Sequence, residues 1–115
     1  MPLSSRYAVY VPGTRGTSGD LAEEDRQKYV RETLRRMGGV FGGATAQDAM
    51  GSWLAENGEL VLEHITVVFS FAAEKTEKYA DAIRGVAAWL REELDQEAVS
   101  METPDGLDFV MKEAA

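Results

Sequence analysis

His64 is the one histidine of the sequence and the only side chain that titrates near neutrality without help from its surroundings. To act as a general base it needs an orienting partner. Glu63 cannot serve, because neighbours on a strand point to opposite faces. Asp48 or Ser52, reached across a hairpin, could. Tyr7, Tyr10, Trp53 and Tyr79 are the rings that would line a small-molecule pocket beside His64. Arg15 stands at the tip of a glycine-rich loop, PGTRGTSGD, where a guanidinium could grip a carboxylate or a single phosphate. None of these residues is assigned a catalytic role. The plainer reading of His64 is a polar residue on a sheet face or at a dimer contact.

That loop follows a strand and precedes a helix, as phosphate-binding loops do. A P-loop, however, needs a Lys-Ser/Thr pair after its last glycine, and here Gly19 is followed by Asp20. Asp20, Glu23, Glu24 and Asp25 would repel a polyphosphate. The loop reads as plain surface, and no cofactor is expected.

Composition removes further chemistry. With no Cys there is no disulfide framework, thiolate metal site, iron–sulfur cluster or cysteine nucleophile. A single His leaves no two-histidine metal motif. The carboxylate pairs lie on helical segments beside basic residues, so no metal site is expected. Hydrophobic residues make up 44% of the chain, which is a globular composition. No apolar run approaches the roughly 20 residues that span a bilayer, and the N-terminus carries no signal-peptide pattern. A cytoplasmic protein with no membrane contact is the expectation.

The net charge is −8, and all of it falls in residues 59–115. Phosphate backbones are held by Lys and Arg, so direct nucleic-acid binding is disfavoured, while a basic protein partner fits. Lys28, Arg31, Arg35 and Arg36 form a basic ridge on the first helix. It reads as a salt-bridged outer face, or as a docking place for an acidic partner such as the C-terminal segment of another copy.

The elements that must position these residues are legible from their periodicity. Arg6 to Val11 reads as a strand, and Leu21 to Met37 as a helix with Asp20–Glu23 as an acidic capping box and Ser18 as the alternative cap. Gly38-Gly39 stops that helix. Val40–Leu54 and Glu59–Phe71 form a hairpin turned at Glu56-Asn57-Gly58. On its second arm Ile65, Val67, Phe69 and Phe71 alternate with His64, Thr66, Val68 and Ser70, which predicts that the first set packs under helices. Thr76 to Gln96 is a helix with the stripe Tyr79, Ile83, Val86, Leu90 and Leu94. Gly85 inside it is attributed to close packing on the sheet. Ala98–Thr103 reads as a strand, with Pro104-Asp105-Gly106 turning into Leu107–Met111. Four glycines at 38, 39, 42 and 43 imply a strand bulge or a ligand lying over the backbone.

Strand, helix, strand, strand, helix, strand is the split βαβ, ferredoxin-like order, placing residues 1–115 in one α+β domain with both helices on one face of an antiparallel sheet. The bare face would carry Ala8, Tyr10, His64, Thr66, Val68 and Ser70. It is too apolar for free solvent, which predicts a homo-oligomer formed through it.

The run Phe41-Gly42-Gly43-Ala44-Thr45, followed by Gly51-Ser52-Trp53, a short turn and Glu63-His64-Ile65-Thr66, resembles the central segment of a family of small bacterial, phage- and plasmid-borne proteins. The likeness extends over residues 6–90. It implies a compact α+β domain, with no activity and no site residues to carry over.

The sequence therefore favours a non-enzymatic interaction or regulatory module that self-associates through its open sheet face and binds a protein partner. The competing expectation is a small-molecule binder or cofactor-independent enzyme of the dimeric α/β-barrel kind, with Tyr7, Tyr10, Arg15, Trp53, His64 and Tyr79 at its pocket.

Overall fold

A computed structural model describes residues 2–16 and 19–112. Its elements are β1 (Ser5–Pro12), α1 (Glu23–Phe41), β2 (Thr45–Leu54), β3 (Leu60–Ala72), α2 (Glu77–Glu93), β4 (Ala98–Thr103) and β5 (Gly106–Met111). The strands form one sheet in the order β2-β3-β1-β4-β5, and every pairing is antiparallel. This is the ferredoxin-like α+β arrangement with a fifth strand on the β4 edge. Among the described residues no helix is long and apolar enough to cross a membrane.

Both helices lie on one face. There α1 packs chiefly on β3, and α2 packs on β1 and β4. Tyr7, Val9 and Val11 of β1 are buried beneath them with Val68, Val99 and Met101. Ile83, Val86, Ala87, Leu90 and Leu94 from α2 and Tyr29 and Met37 from α1 complete the core.

The faces of β3 are the reverse of the sequence expectation. Register pairs Tyr7 with Ser70, Val9 with Val68 and Val11 with Thr66, so the helix side of β3 is Thr66, Val68, Ser70 and Ala72. Ile65, Val67, Phe69 and Phe71 occupy the open side with Ala8 and Tyr10. Alternation distinguishes two faces without saying which one the helices cover. Size decides here: the small residues let α1 approach the sheet closely, and a row of phenylalanines would hold it away. The buried hydroxyls on that side are satisfied. Ser70 donates to the Gly43 carbonyl at 2.7 Å, and Thr66 accepts from Arg26 at 2.8 Å.

Other boundaries also move. Gly38 and Gly39 lie inside α1, which runs on to Phe41 and ends where Gly42 turns left-handed at φ 91°. β2 pairs with β3 from Thr45 onward without a bulge, and Gly42 serves the helix end. The first hairpin arm starts at Thr45, because residues 40 and 41 still belong to the helix. Asp20 does not cap α1. It bridges to Thr14, and the N-cap is Ala22, without a side-chain hydrogen bond. Ser18 lies outside the described residues. On α2, Thr76 is the N-cap and accepts from the Tyr79 amide. Gly85 is exposed with nothing near its missing Cβ, so close packing does not explain it.

The glycine-rich loop has a structural task. The Gly16 amide donates to the Leu94 carbonyl at 2.8 Å, and the Arg15 guanidinium donates to the Glu93 carbonyl at 2.9 Å. Gln96 returns a bond to the Thr14 carbonyl at 3.0 Å. The last carbonyls of α2, which a helix leaves without partners, are met by this loop.

Candidate active site

Two of the six residues singled out in the sequence bring their rings to one place, and the strand at His64 borders it. A cleft of about 460 Å³ lies on the open face, between the β2–β3 hairpin and the ends of β1, β4 and β5. Tyr10, Trp53 and His64 line it, joined by Glu63, Ser100 and Phe109. Register explains the gathering. Gly51 lies opposite Glu63, and Trp53 opposite Val61, so both put the open face of the hairpin against the cleft. Phe109 is the cross-strand neighbour of Ser100 on the far wall.

Trp53 and Tyr10 are each held by a carboxylate. The Trp53 indole donates to Glu63 at 3.3 Å. The Tyr10 hydroxyl donates to Glu102 at 3.1 Å, and Arg6 donates to the other oxygen of that carboxylate at 3.2 Å. Arg6 is in turn stacked 4.3 Å over the Phe69 ring. Partial burial, then the adjacent Glu102 carboxylate, raise the Tyr10 phenol above its usual range. Two carboxylates, Glu63 and Glu102, thus lie on the face that holds the rings. Gly13 closes the end of β1 against β3: a Cβ there would run into the His64 carbonyl oxygen.

His64 does not join these carboxylates. Alternation from Thr66 turns its imidazole to the helix side, where its cross-strand partner is Met50 rather than Asp48 or Ser52. On that side Arg26 and then Gln27 hold the Glu23 carboxyl at about 2 by hydrogen bonds, with a last, smaller share from the imidazole. Asp48 pairs with Thr66 instead and accepts from Arg26 at 3.2 Å, tying the first turn of α1 to the hairpin.

The other three candidates lie elsewhere. Tyr7 is fully buried on the helix side, its ring 5.2 Å from Phe41 and 5.7 Å from Tyr79, and its hydroxyl takes the Thr76 amide at 3.1 Å. Tyr7 and Tyr79 are core residues. Arg15 is spent on α2 and on the Tyr29 hydroxyl at 3.1 Å. Glu63, Glu102 and Phe109 were missed by the sequence reading. The signal for Glu63 was available, since a carboxylate next to Trp53 in a two-arm hairpin follows from the Asn57-Gly58 turn once the register is counted.

No family model and no curated protein matches the chain. Solved structures do. A phage SAM lyase in its apo state superposes with a TM-score of 0.66 at 18% identity, covering 96% of this chain and 91% of that one. The phage SAM lyase in complex with S-methyl-5′-thioadenosine gives a TM-score of 0.65 at 18% identity, over 96% and 92%. These likenesses establish the fold. They also correct the functional expectation: the architecture taken for a non-enzymatic interaction module is one that a phage SAM lyase, an enzyme, shares, and the missing Cys and clustered His do not argue against catalysis in it.

Proposed function

We propose that this protein cleaves a sulfonium nucleoside of the S-adenosylmethionine (SAM) type, as a lyase, in the open-face cleft. The observation that carries the reading is the meeting of three aromatic rings with the Glu63 carboxylate in a cleft of about 460 Å³, in a fold shared nearly end to end with a SAM lyase. SAM offers a flat adenine, which stacks on rings such as Trp53 and Phe109, and a positive sulfur, which is attracted by aromatic faces and carboxylates.

The chemistry suits so sparse a site. When a carbon–sulfur bond of a sulfonium breaks, its electron pair goes to sulfur and the leaving group is a neutral thioether. No acid has to protonate it. The carbon left behind is satisfied by the carboxylate of the substrate itself, or by loss of a proton from its neighbour. Only the second route needs a base, and Glu63, which lines the cleft, would serve. Binding, orientation and exclusion of water are then the main tasks of the protein.

Self-association through the open face belongs to this reading. Trp53 and Phe109 are each 52% exposed, Leu107 and Met111 follow Phe109 on the same face of β5, and exposed Phe71 lies further along β3. A surface of that kind marks an interface, and a second copy is the simplest cover for it.

The test is to incubate the purified protein with SAM and follow release of S-methyl-5′-thioadenosine by mass spectrometry. Release, reduced about tenfold or more by Glu63→Gln with an unchanged melting curve, supports the assignment. Absence of both cleavage and SAM binding by the folded protein overturns it.

A further inference from the structure

On the far side of the molecule from the cleft, α1 and α2 border a groove of about 630 Å³. Its α1 wall is the basic ridge: Lys28, Arg31, Arg35 and Arg36. Its floor contains Tyr29 and Trp89, whose rings lie 6.0 Å apart. The surrounding chain is acidic overall, so this concentration of cations is the exception on its surface.

Their charge is only partly answered within the protein. Arg35 and Arg36 share a single carboxylate, Glu32, at 2.7 and 3.2 Å. Among the described residues Lys28 and Arg31 make no ion pair with an acid. Lys28 instead sits 5.6 Å from the centre of the Tyr29 ring, and the Arg36 guanidinium is stacked 4.0 Å over Trp89. Stacked heads are already partly ordered and keep their hydrogen-bond donors at the edge, so less entropy is lost when an anion arrives. The Arg35 side chain remains 78% exposed.

We infer that this groove docks an acidic segment of a partner polypeptide, one presenting two or three carboxylates and an apolar side chain for the Trp89–Tyr29 floor. The number of uncompensated cations matches carboxylates that arrive singly, and arginine forks suit carboxylates in pairs. A nucleic-acid strand fits less well. Its backbone needs a continuous cationic track, and here Glu93 stands in the groove while Glu24 and Asp25 stand one turn before Lys28. The groove uses no residue of the open-face cleft, so docking leaves that cleft accessible.

The probe is a short fluorescein-labelled Glu-rich peptide carrying one Leu, followed by fluorescence anisotropy on the full chain. Its Gln-for-Glu counterpart and an oligothymidylate of similar length are the comparisons. The double variant Arg31→Glu/Arg35→Glu removes the exposed cations without touching the core, and its melting curve reports on folding. The expected result is binding of the acidic peptide that weakens as salt rises, falls about tenfold or more in the folded double variant, and is absent for the Gln peptide. No binding of the acidic peptide, undiminished binding by the folded double variant, or tighter binding of the oligothymidylate would overturn the inference. Should the double variant fail to fold, Arg35→Ala replaces it, with a several-fold loss expected and no loss counting against docking.

Discussion

The Tyr10 hydroxyl and the Glu102 carboxylate are bonded at 3.1 Å across β1 and β4 on the open face of the sheet. The bond needs a protonated phenol, and burial together with the Glu102 charge keeps the proton on. The folded Tyr10 therefore ionises above its unfolded value of 10.0, so its contribution to stability is present below that pH and is lost as pH rises through the folded value. An absorbance titration of tyrosinate should show a late step that Tyr10→Phe removes. The same variant should lose about 1 kcal/mol in urea denaturation, the usual worth of such a bond.

Gly13 and Gly51 flank the cleft and should answer differently to substitution. A methyl group on Gly13 meets backbone that cannot swing aside, so Gly13→Ala should cost about 1–3 kcal/mol of stability. At Gly51 the nearest atoms to an added Cβ are 3.8 Å away, an ordinary contact. Gly51→Leu should then melt close to the parent while filling the cleft beside Glu63 and abolishing SAM binding. Calorimetry of unfolding and of binding separates the two effects.

Leu90 and Phe71 test which face is the core. Leu90 of α2 is fully buried between its helix and the sheet, and Phe71 is 40% exposed on the open face. Leu90→Ala should cost about 2–5 kcal/mol. Phe71→Ala should cost the monomer about 1 kcal/mol or less, and it should weaken self-association measured by light scattering. Equal destabilisation by both would place the core on the wrong side of the sheet.

Glu23 should hold its charge to unusually low pH. Bonds from Arg26 and Gln27 lower its carboxyl from 4.5 to about 2, so the stabilisation is complete above the unfolded value and is lost as pH falls towards 2. Carboxyl NMR should find a midpoint near 2. In Glu23→Gln, Arg26 keeps Asp48 and Thr66, and the acid limb of the stability curve should become shallower.

Much of the architecture was legible in the sequence because periodicity and turn chemistry speak locally. The Asn57-Gly58 turn, the α2 stripe and the β4–β5 return at Gly106 appear where the pattern puts them. What failed was whatever depended on the other layer. Gly38-Gly39 looks like a helix stop, yet packing of Met37 and Phe41 against the core carries α1 through it to Gly42. The β3 alternation showed two faces, but only docking of α1 on Val68 and Ser70 decides between them. The cleft was half legible for the same reason. Tyr10, Trp53 and His64 were chosen for their chemistry, whereas Glu102 and Phe109 come to the site through pairings between opposite ends of the chain.

That wiring has a consequence for the order in which the protein is made. β1 leaves the ribosome before the other four strands, yet it is the middle of the sheet, bonded on one side to β3 and on the other to β4. The β2–β3 hairpin can close by itself as soon as it emerges, within microseconds. β1 must wait for distant partners, and such long-range pairing is slow. During synthesis, therefore, β1 stands with Tyr7, Val9 and Val11 and its far edge uncovered before α2 and β4 exist to complete the layers. The nascent chain is open to premature pairing with its neighbours at that stage. Its yield in a cell then depends on translation speed past residue 72 and on chaperones as much as on the stability of the finished fold.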